Sequence, residues 1–175
     1  WRNVLVGKTH WGTETPAHLP INRGWDEHVG YLGGGEAYST GHECLKGDGS
    51  TNCDTFKNEL DMWHNQGPAE PEFIGRYSTD LFTELAINAI TQHGNGSSTG
   101  VAGPYAGKPL WVHLNYQAVH KPYTTPPGWP RPDPNSKTYE QDVYYQVLQR
   151  MDEGVGNVTR ALREHGMWDD AVVLF

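Results

Sequence analysis

The chain has 175 residues, 36% hydrophobic and 11% aromatic, enough apolar mass for one sizeable core and too little for two independent domains. Its formal net charge of -8 with neutral histidines argues against nucleic acid or an anionic membrane surface as partner. No run approaches the roughly 18 to 20 apolar residues that a membrane-spanning helix needs.

Nine histidines would carry the formal charge to +1 if all were protonated, so the surface field should change strongly between neutral and acidic conditions. The start Trp1-Arg2-Asn3 has neither an initiator methionine nor the pattern of a signal peptide, and a segment of a longer protein is the expectation.

In chain order, Asn3 to Val6 carries Val4, Leu5 and Val6, ends at Gly7, and reads as a buried strand feeding a loop. From Lys8 to Tyr77 glycine, proline and polar residues dominate, and Gly33-Gly34-Gly35 and Pro68 to Pro71 interrupt any periodicity. So long an irregular stretch in a compact domain usually signals a functional surface or an insertion. Within it stand Cys44 and Cys53, in a neighbourhood of Gly, Ser, Asn and Asp. The pair can close a local disulfide, which would point to an oxidising compartment. Two free thiols or half of a metal site are the other readings, although no Cys-x-x-Cys or matching His pair accompanies them. The sequons Asn95-Gly96-Ser97 and Asn157-Val158-Thr159 agree with a secretory route.

Ser78 or Thr79 can cap a helix whose apolar positions Leu81, Phe82, Leu85, Ala86, Ala89 and Ile90 recur at helical spacing, with Gly94 as its stop. After a Gly/Ser-rich connection, Pro109 to Leu114 reads as a second buried strand, followed by a proline-dense loop over Asn115 to Asn135. A long helix is expected from about Tyr139 to His165, with Val143, Val147, Leu148, Met151, Val155, Val158 and Leu162 on its apolar face and Gly166 as its stop. Gly154 and Gly156 either weaken it or let a neighbour approach. Ala171 to Phe175 completes the pattern as a third buried strand. Strand, helix, strand, helix, strand with continuous apolar strands is the signature of an α/β fold, a mostly parallel sheet covered by helices.

In such a sheet, ligand-binding groups gather beyond the carboxyl ends of the strands. The first strand empties into Gly7-Lys8-Thr9-His10, and an ammonium and an imidazole two residues apart point to the same side in extended geometry, as an anion clamp requires. The second empties into Asn115-Tyr116-Gln117-Ala118-Val119-His120-Lys121-Pro122, delivering a second imidazole to the same edge. Asp169-Asp170 reads as a polar turn and His113 as a core or rim histidine, and neither is assigned a ligand role.

Motifs along the chain resemble the type I sulfatases, arylsulfatase B and its relatives in particular. They are Gly7-Lys8-Thr9-His10-Trp11-Gly12, Arg23-Gly24-Trp25-Asp26, Gly30-Tyr31-Leu32-Gly33-Gly34-Gly35-Glu36, Tyr77 to Thr83, Lys108-Pro109-Leu110, Gln117-Ala118-Val119-His120 with Pro122, and Met151 to Thr159. They occur in the family's order and span nearly the whole chain. Thr9 departs from the pattern, standing where tryptophan is usual. The resemblance implies an alkaline phosphatase-like sulfatase fold, present here incompletely, and hydrolysis of sulfate esters through a formylglycine made from cysteine. By position it implies that Lys8 holds the sulfate oxygens, His10 bonds the formylglycine hydroxyl, and His120 contacts the sulfate and assists the leaving group. It also implies calcium, with ligands expected outside this chain, and a nucleophile motif outside it as well. Residues 1–175 would be part of an N-terminal catalytic domain, inactive in isolation, from a secreted, lysosomal or periplasmic enzyme. Its partners would be a sulfated small molecule or glycan and the formylglycine-generating enzyme. The rival readings are a phosphodiesterase of the same superfamily and a non-catalytic glycan-binding relative.

Overall fold

The computed structural model describes residues 1–12, 14–38, 60–98 (95–98 by backbone), 105 and 107–175. Its organising element is β1 (Arg2–Gly7), flanked in parallel by β2 (Glu27–Gly30) and β5 (Leu110–Asn115). Two short strands, β3 (Trp63–His64) and β4 (Gly67–Pro68), extend the sheet antiparallel beyond β2, giving the order β4-β3-β2-β1-β5. Two helices accompany it, α1 (Ser78–Ser98) and α2 (Tyr139–Glu164). The expected α/β class is present, but the sheet is mixed rather than mostly parallel, with two parallel and two antiparallel pairings among the described residues.

Alternation along β1 explains how the core divides. Val4 and Val6 join Val29, Tyr31, Met62, Leu81, Phe82 and Ala89 in one cluster between sheet and α1, and Leu5, which alternates to the other face, is also fully buried. A strand buried on both faces is what its unbroken Val-Leu-Val run demands. Phe82 stacks on Tyr31 with ring centroids 6.3 Å apart. Burying a side chain of this size contributes roughly 1.5–3 kcal/mol.

Four further expectations need correction. Ala171 to Phe175 forms no strand: among the described residues it pairs with no other strand, Ala171 N donates only to the nearby Trp168 O at 3.1 Å, and Val172 and Phe175 are 88% and 101% exposed. An apolar run becomes a strand only where an edge accepts its hydrogen bonds, and local composition cannot supply that edge. β5 is half-buried rather than buried, because it occupies one end of the sheet, and its Trp111 is exposed. Gly94 does not stop α1, which continues to Ser98; Gly94 is buried, and a Cβ there would lie 2.8 Å from His165 Cβ, so this glycine admits the end of α2. Leu148 is 36% exposed, and the buried line of α2 runs through Val143, Val147, Gly154 and Ala161. The smallness of Gly154 lets Thr83 Oγ1 and Tyr116 OH approach within 2.6 Å of where a Cβ would stand.

Helix α2 is tied to the first turn of α1 by Arg150, whose Nε and Nη2 reach the two oxygens of Asp80 at 2.7 and 2.8 Å, while Nη1 reaches Glu153 at 3.0 Å. Such a bidentate fork fixes direction as well as distance. Cys44 and Cys53 lie outside the described residues, as does the side chain of Asn95; Asn157 sits half-buried on α2.

Candidate active site

The parallel strands β1 and β5 end side by side, with Gly7 in register with Asn115. Gly7 takes φ +97°, and a Cβ there would stand 1.9 Å from the Asn115 carbonyl oxygen, so only glycine permits this contact. Just beyond it, Lys8 N donates to Asn115 O at 3.0 Å and Asn115 Nδ2 donates to Lys8 O at 2.9 Å. The two loops named from sequence are thus stitched together where they leave the sheet. A cleft of about 410 Å³ opens at this point, lined by Lys8, Asn115, Tyr116, Ala118, Met151 and Phe175 among others.

Lys8 and His10 do converge, but not by strand alternation. His10 takes φ +54°, a left-handed conformation uncommon outside glycine, while its N–H donates to Leu32 O at 3.1 Å. Between them Thr9 is buried, its N–H donating to Tyr31 O at 3.0 Å, so the position that departs from the usual tryptophan is anchored by backbone pairing. Both flanking side chains meet the glycine run. Lys8 Nζ donates to the Gly34 carbonyl, and the His10 ring lies so close to Gly34 that a Cβ there would come within 2.8 Å of Nε2. Partial burial lowers the Lys8 pKa from its usual value, and the nearby Glu36 carboxylate partly offsets this.

The same loop reaches the third candidate. His120 is exposed on the loop after β5, and its carbonyl accepts a 3.1 Å hydrogen bond from Tyr38 OH. Gln117 beneath it is buried, donating to the Glu36 carbonyl and accepting from Ser78 Oγ at 2.8 Å. Tyr38 stacks on Tyr77 with centroids 5.3 Å apart. His120 Nδ1 lies 2.6 Å from the Lys121 carbonyl. A carbonyl only accepts, so Nδ1 carries a proton, and in the neutral ring Nε2 holds the lone pair. On protonation Nε2 becomes a donor.

Residues 33–38 therefore form a hub that touches all three sequence-predicted side chains or their supports. Sequence reasoning named the glycine run only as an interruption and a family motif. The triple glycine was the available signal, since closely approached backbone calls for residues without a Cβ. Asp61, whose carboxylate accepts from Leu32 N and Gly33 N at the head of this loop, had no signal at all. Among the described residues no group of three or more His, Cys, Asp or Glu side chains is arranged to hold a metal. Asp169 and Asp170 lie exposed in a turn, as expected.

The Sulfatase family profile matches residues 10–175. The chain is 26% identical to mouse (Mus musculus) arylsulfatase J over 171 residues, 98% of this chain and 25% of that protein. It is 25% identical over 157 residues to the sulfatase YdeN of Escherichia coli strain K12, 89% of this chain and 22% of that one. The crystal structure of Ps i-CgsB superposes with a TM-score of 0.69 at 26% identity, covering 97% of this chain and 35% of the other. That protein in complex with k-i-k-neocarrahexaose gives a TM-score of 0.68 at 25% identity, with the same coverage. The Bacteroides fragilis protein yidJ shares the fold, with a TM-score of 0.57 at 15% identity over 97% of this chain and 39% of that one. The chain belongs to the Sulfatase family, and its sheet and helices are part of the alkaline phosphatase-like sulfatase fold. It spans only about a quarter of the length of the curated relatives it matches.

Proposed function

We propose that the protein carrying this chain hydrolyses sulfate esters of aryl or sugar alcohols, releasing the alcohol and sulfate, with residues 1–175 forming part of its N-terminal catalytic domain. The carrying observation is the convergence of Lys8 and His10 on the Gly34 turn, at the carboxyl end of parallel strands in a Sulfatase-family chain. An ammonium has three donors; with one on the Gly34 carbonyl, two remain for the oxygens of a sulfate. Burial lowers the pKa of this ammonium and the Glu36 carboxylate raises it. Fixed in place before substrate arrives, such a charge stabilises negative charge at little reorganisation cost. His120 Nε2, protonated, would donate to the alkoxide that forms as the S–O bond breaks, and the Nδ1 contact with the Lys121 carbonyl leaves Nε2 for this role.

A formylglycine outside this chain, made by the formylglycine-generating enzyme, would supply the nucleophilic hydroxyl, and His10 would hydrogen-bond it. Calcium ligands are likewise assigned outside the chain. Sulfated carbohydrate is the favoured substrate class, supported by the oligosaccharide complex of Ps i-CgsB. A secreted, lysosomal or periplasmic location, a Cys44–Cys53 disulfide and glycans at Asn95 and Asn157 belong to the same reading.

The test is turnover of an aryl sulfate by the full-length protein and its His120→Ala variant. A fall in kcat/KM of about a hundredfold is expected for loss of a general acid. Undiminished activity would remove His120 from the chemistry, and turnover of an aryl phosphodiester in preference to the sulfate would favour the rival phosphodiesterase reading. The 175-residue chain by itself is expected to show no turnover.

A further inference from the structure

We infer that Asp61 is the positioning residue of the Lys8–His10 clamp, acting through the backbone of the Gly33-Gly34-Gly35 turn; the catalytic consequence rests on the sulfatase reading, the structural one does not. Asp61 lies just ahead of β3, on the far side of β2 from β1. Its Oδ1 accepts from Leu32 N at 3.0 Å and from Trp63 Nε1 at 3.1 Å, and its Oδ2 accepts from Gly33 N at 2.6 Å. One carboxylate thus holds two successive backbone amides at the entry to the turn, and the indole fixes the carboxylate itself. A Cβ on Gly33 would stand 2.7 Å from Asp61 Oδ2, so the glycine is what lets the carboxylate come this close.

The next residue in the chain does the work at the site. Gly34 offers its carbonyl to Lys8 Nζ and its bare Cα to the His10 ring. Leu32, whose N–H Asp61 holds, gives its carbonyl to His10 N at 3.1 Å. Asp61 therefore reaches His10 by two routes, through the Leu32 peptide and through the Gly34 surface, and reaches Lys8 by one. Charge-assisted bonds to backbone amides are among the stronger hydrogen bonds, and shorter than neutral ones. His10 needs such support because its left-handed conformation persists only where the surroundings over-determine it. Misplacement of a reacting group by about 1 Å costs on the order of a hundredfold in rate.

The experiment uses full-length protein labelled with 13C at histidine Cε1, in wild-type, Asp61→Ala, Asp61→Asn and Gly34→Ala forms, with aryl sulfate kinetics on each. Asp61→Ala is expected to displace the His10 resonance, leave that of His165 in place and lower kcat/KM at least tenfold. Asp61→Asn should fall between, since its Oδ1 can still accept from Leu32 and Trp63 while its amide opposes Gly33 N–H. Gly34→Ala, which pushes on the His10 ring and leaves Asp61 untouched, should displace the same resonance. An unmoved His10 resonance with unchanged kcat/KM in Asp61→Ala overturns the inference. If Asp61→Ala does not fold, Asp61→Asn and Gly34→Ala decide by the same criterion. Absence of sulfatase turnover in the wild type would overturn the functional reading alone, and the His10 resonance would still test the positioning role.

Discussion

Burial at single residues governs several measurable properties of this chain. His28, on β2 with no exposed surface, has its pKa lowered from 6.5 to about 4, chiefly by burial, partly offset by the Gly7 backbone and reinforced by His64. Folding thus favours the neutral ring, and the unfolded chain takes up the proton first. Stability from this group is complete above pH 6.5 and is lost as pH falls from there toward about 4. The loss should amount to about 3 kcal/mol across that window. Urea midpoints at pH 7 and pH 4 would measure it; a His28→Asn variant should flatten the slope, and an unchanged slope would locate the acid sensitivity elsewhere. Lys8 belongs to a different class. Its Lys8→Ala variant should lower kcat/KM for an aryl sulfate by about a hundredfold, through loss of a preorganised charge. Retained activity would exclude its sulfate-holding role.

Contacts between elements set the positions of these residues. The meeting of β1 and β5 leaves no room at Gly7, where positive φ and a backbone clash coincide. Gly7→Ala should therefore cost about 2 kcal/mol or more and part the loops bearing Lys8 and His120, measurable as a lowered urea midpoint. Between the helices, Arg150 is held by Asp80 of α1, with Glu153 of its own helix beside it and 29% of its side chain exposed. A half-exposed bidentate pair lies between surface and buried limits, so Arg150→Met should cost about 1–2 kcal/mol. A double-mutant cycle with Asp80→Asn isolates the coupling, and zero coupling would show that α1 and α2 are held by apolar contact alone.

At the scale of the molecule, charge and exposed apolar surface act together. The charge of -8 opposes self-association at neutral pH, yet Leu60, Trp111, Val172, Leu174 and Phe175 are exposed, and among the described residues β5 has a neighbour on one side only. Unpaired edges and apolar patches favour association. Produced alone, the 175-residue chain should elute as larger species with rising concentration, more so as histidines protonate and the net charge passes through zero. Leu174→Lys should reduce this, and a monomer at every concentration would contradict it.

The sequence by itself determined the α/β class, β1 and both helices to within a few residues, and the loops holding Lys8, His10 and His120. These follow from short-range chemistry: an unbroken apolar run, helical spacing of apolar side chains, and glycine at strand ends. Its motif order also carried the Sulfatase family resemblance. Only the tertiary structure decided that β2 begins with Glu27-His28, because a parallel partner in β1 makes a strand of residues with no strand pattern. Only it showed Ala171 to Phe175 outside the sheet of the described residues, Gly94 as a seat for α2 rather than a stop, and Asp61 as the anchor of the glycine turn. In each of these the deciding partner lies far away in sequence, and spacing within a window carries no information about which distant backbone will accept a hydrogen bond or occupy the space a side chain would need.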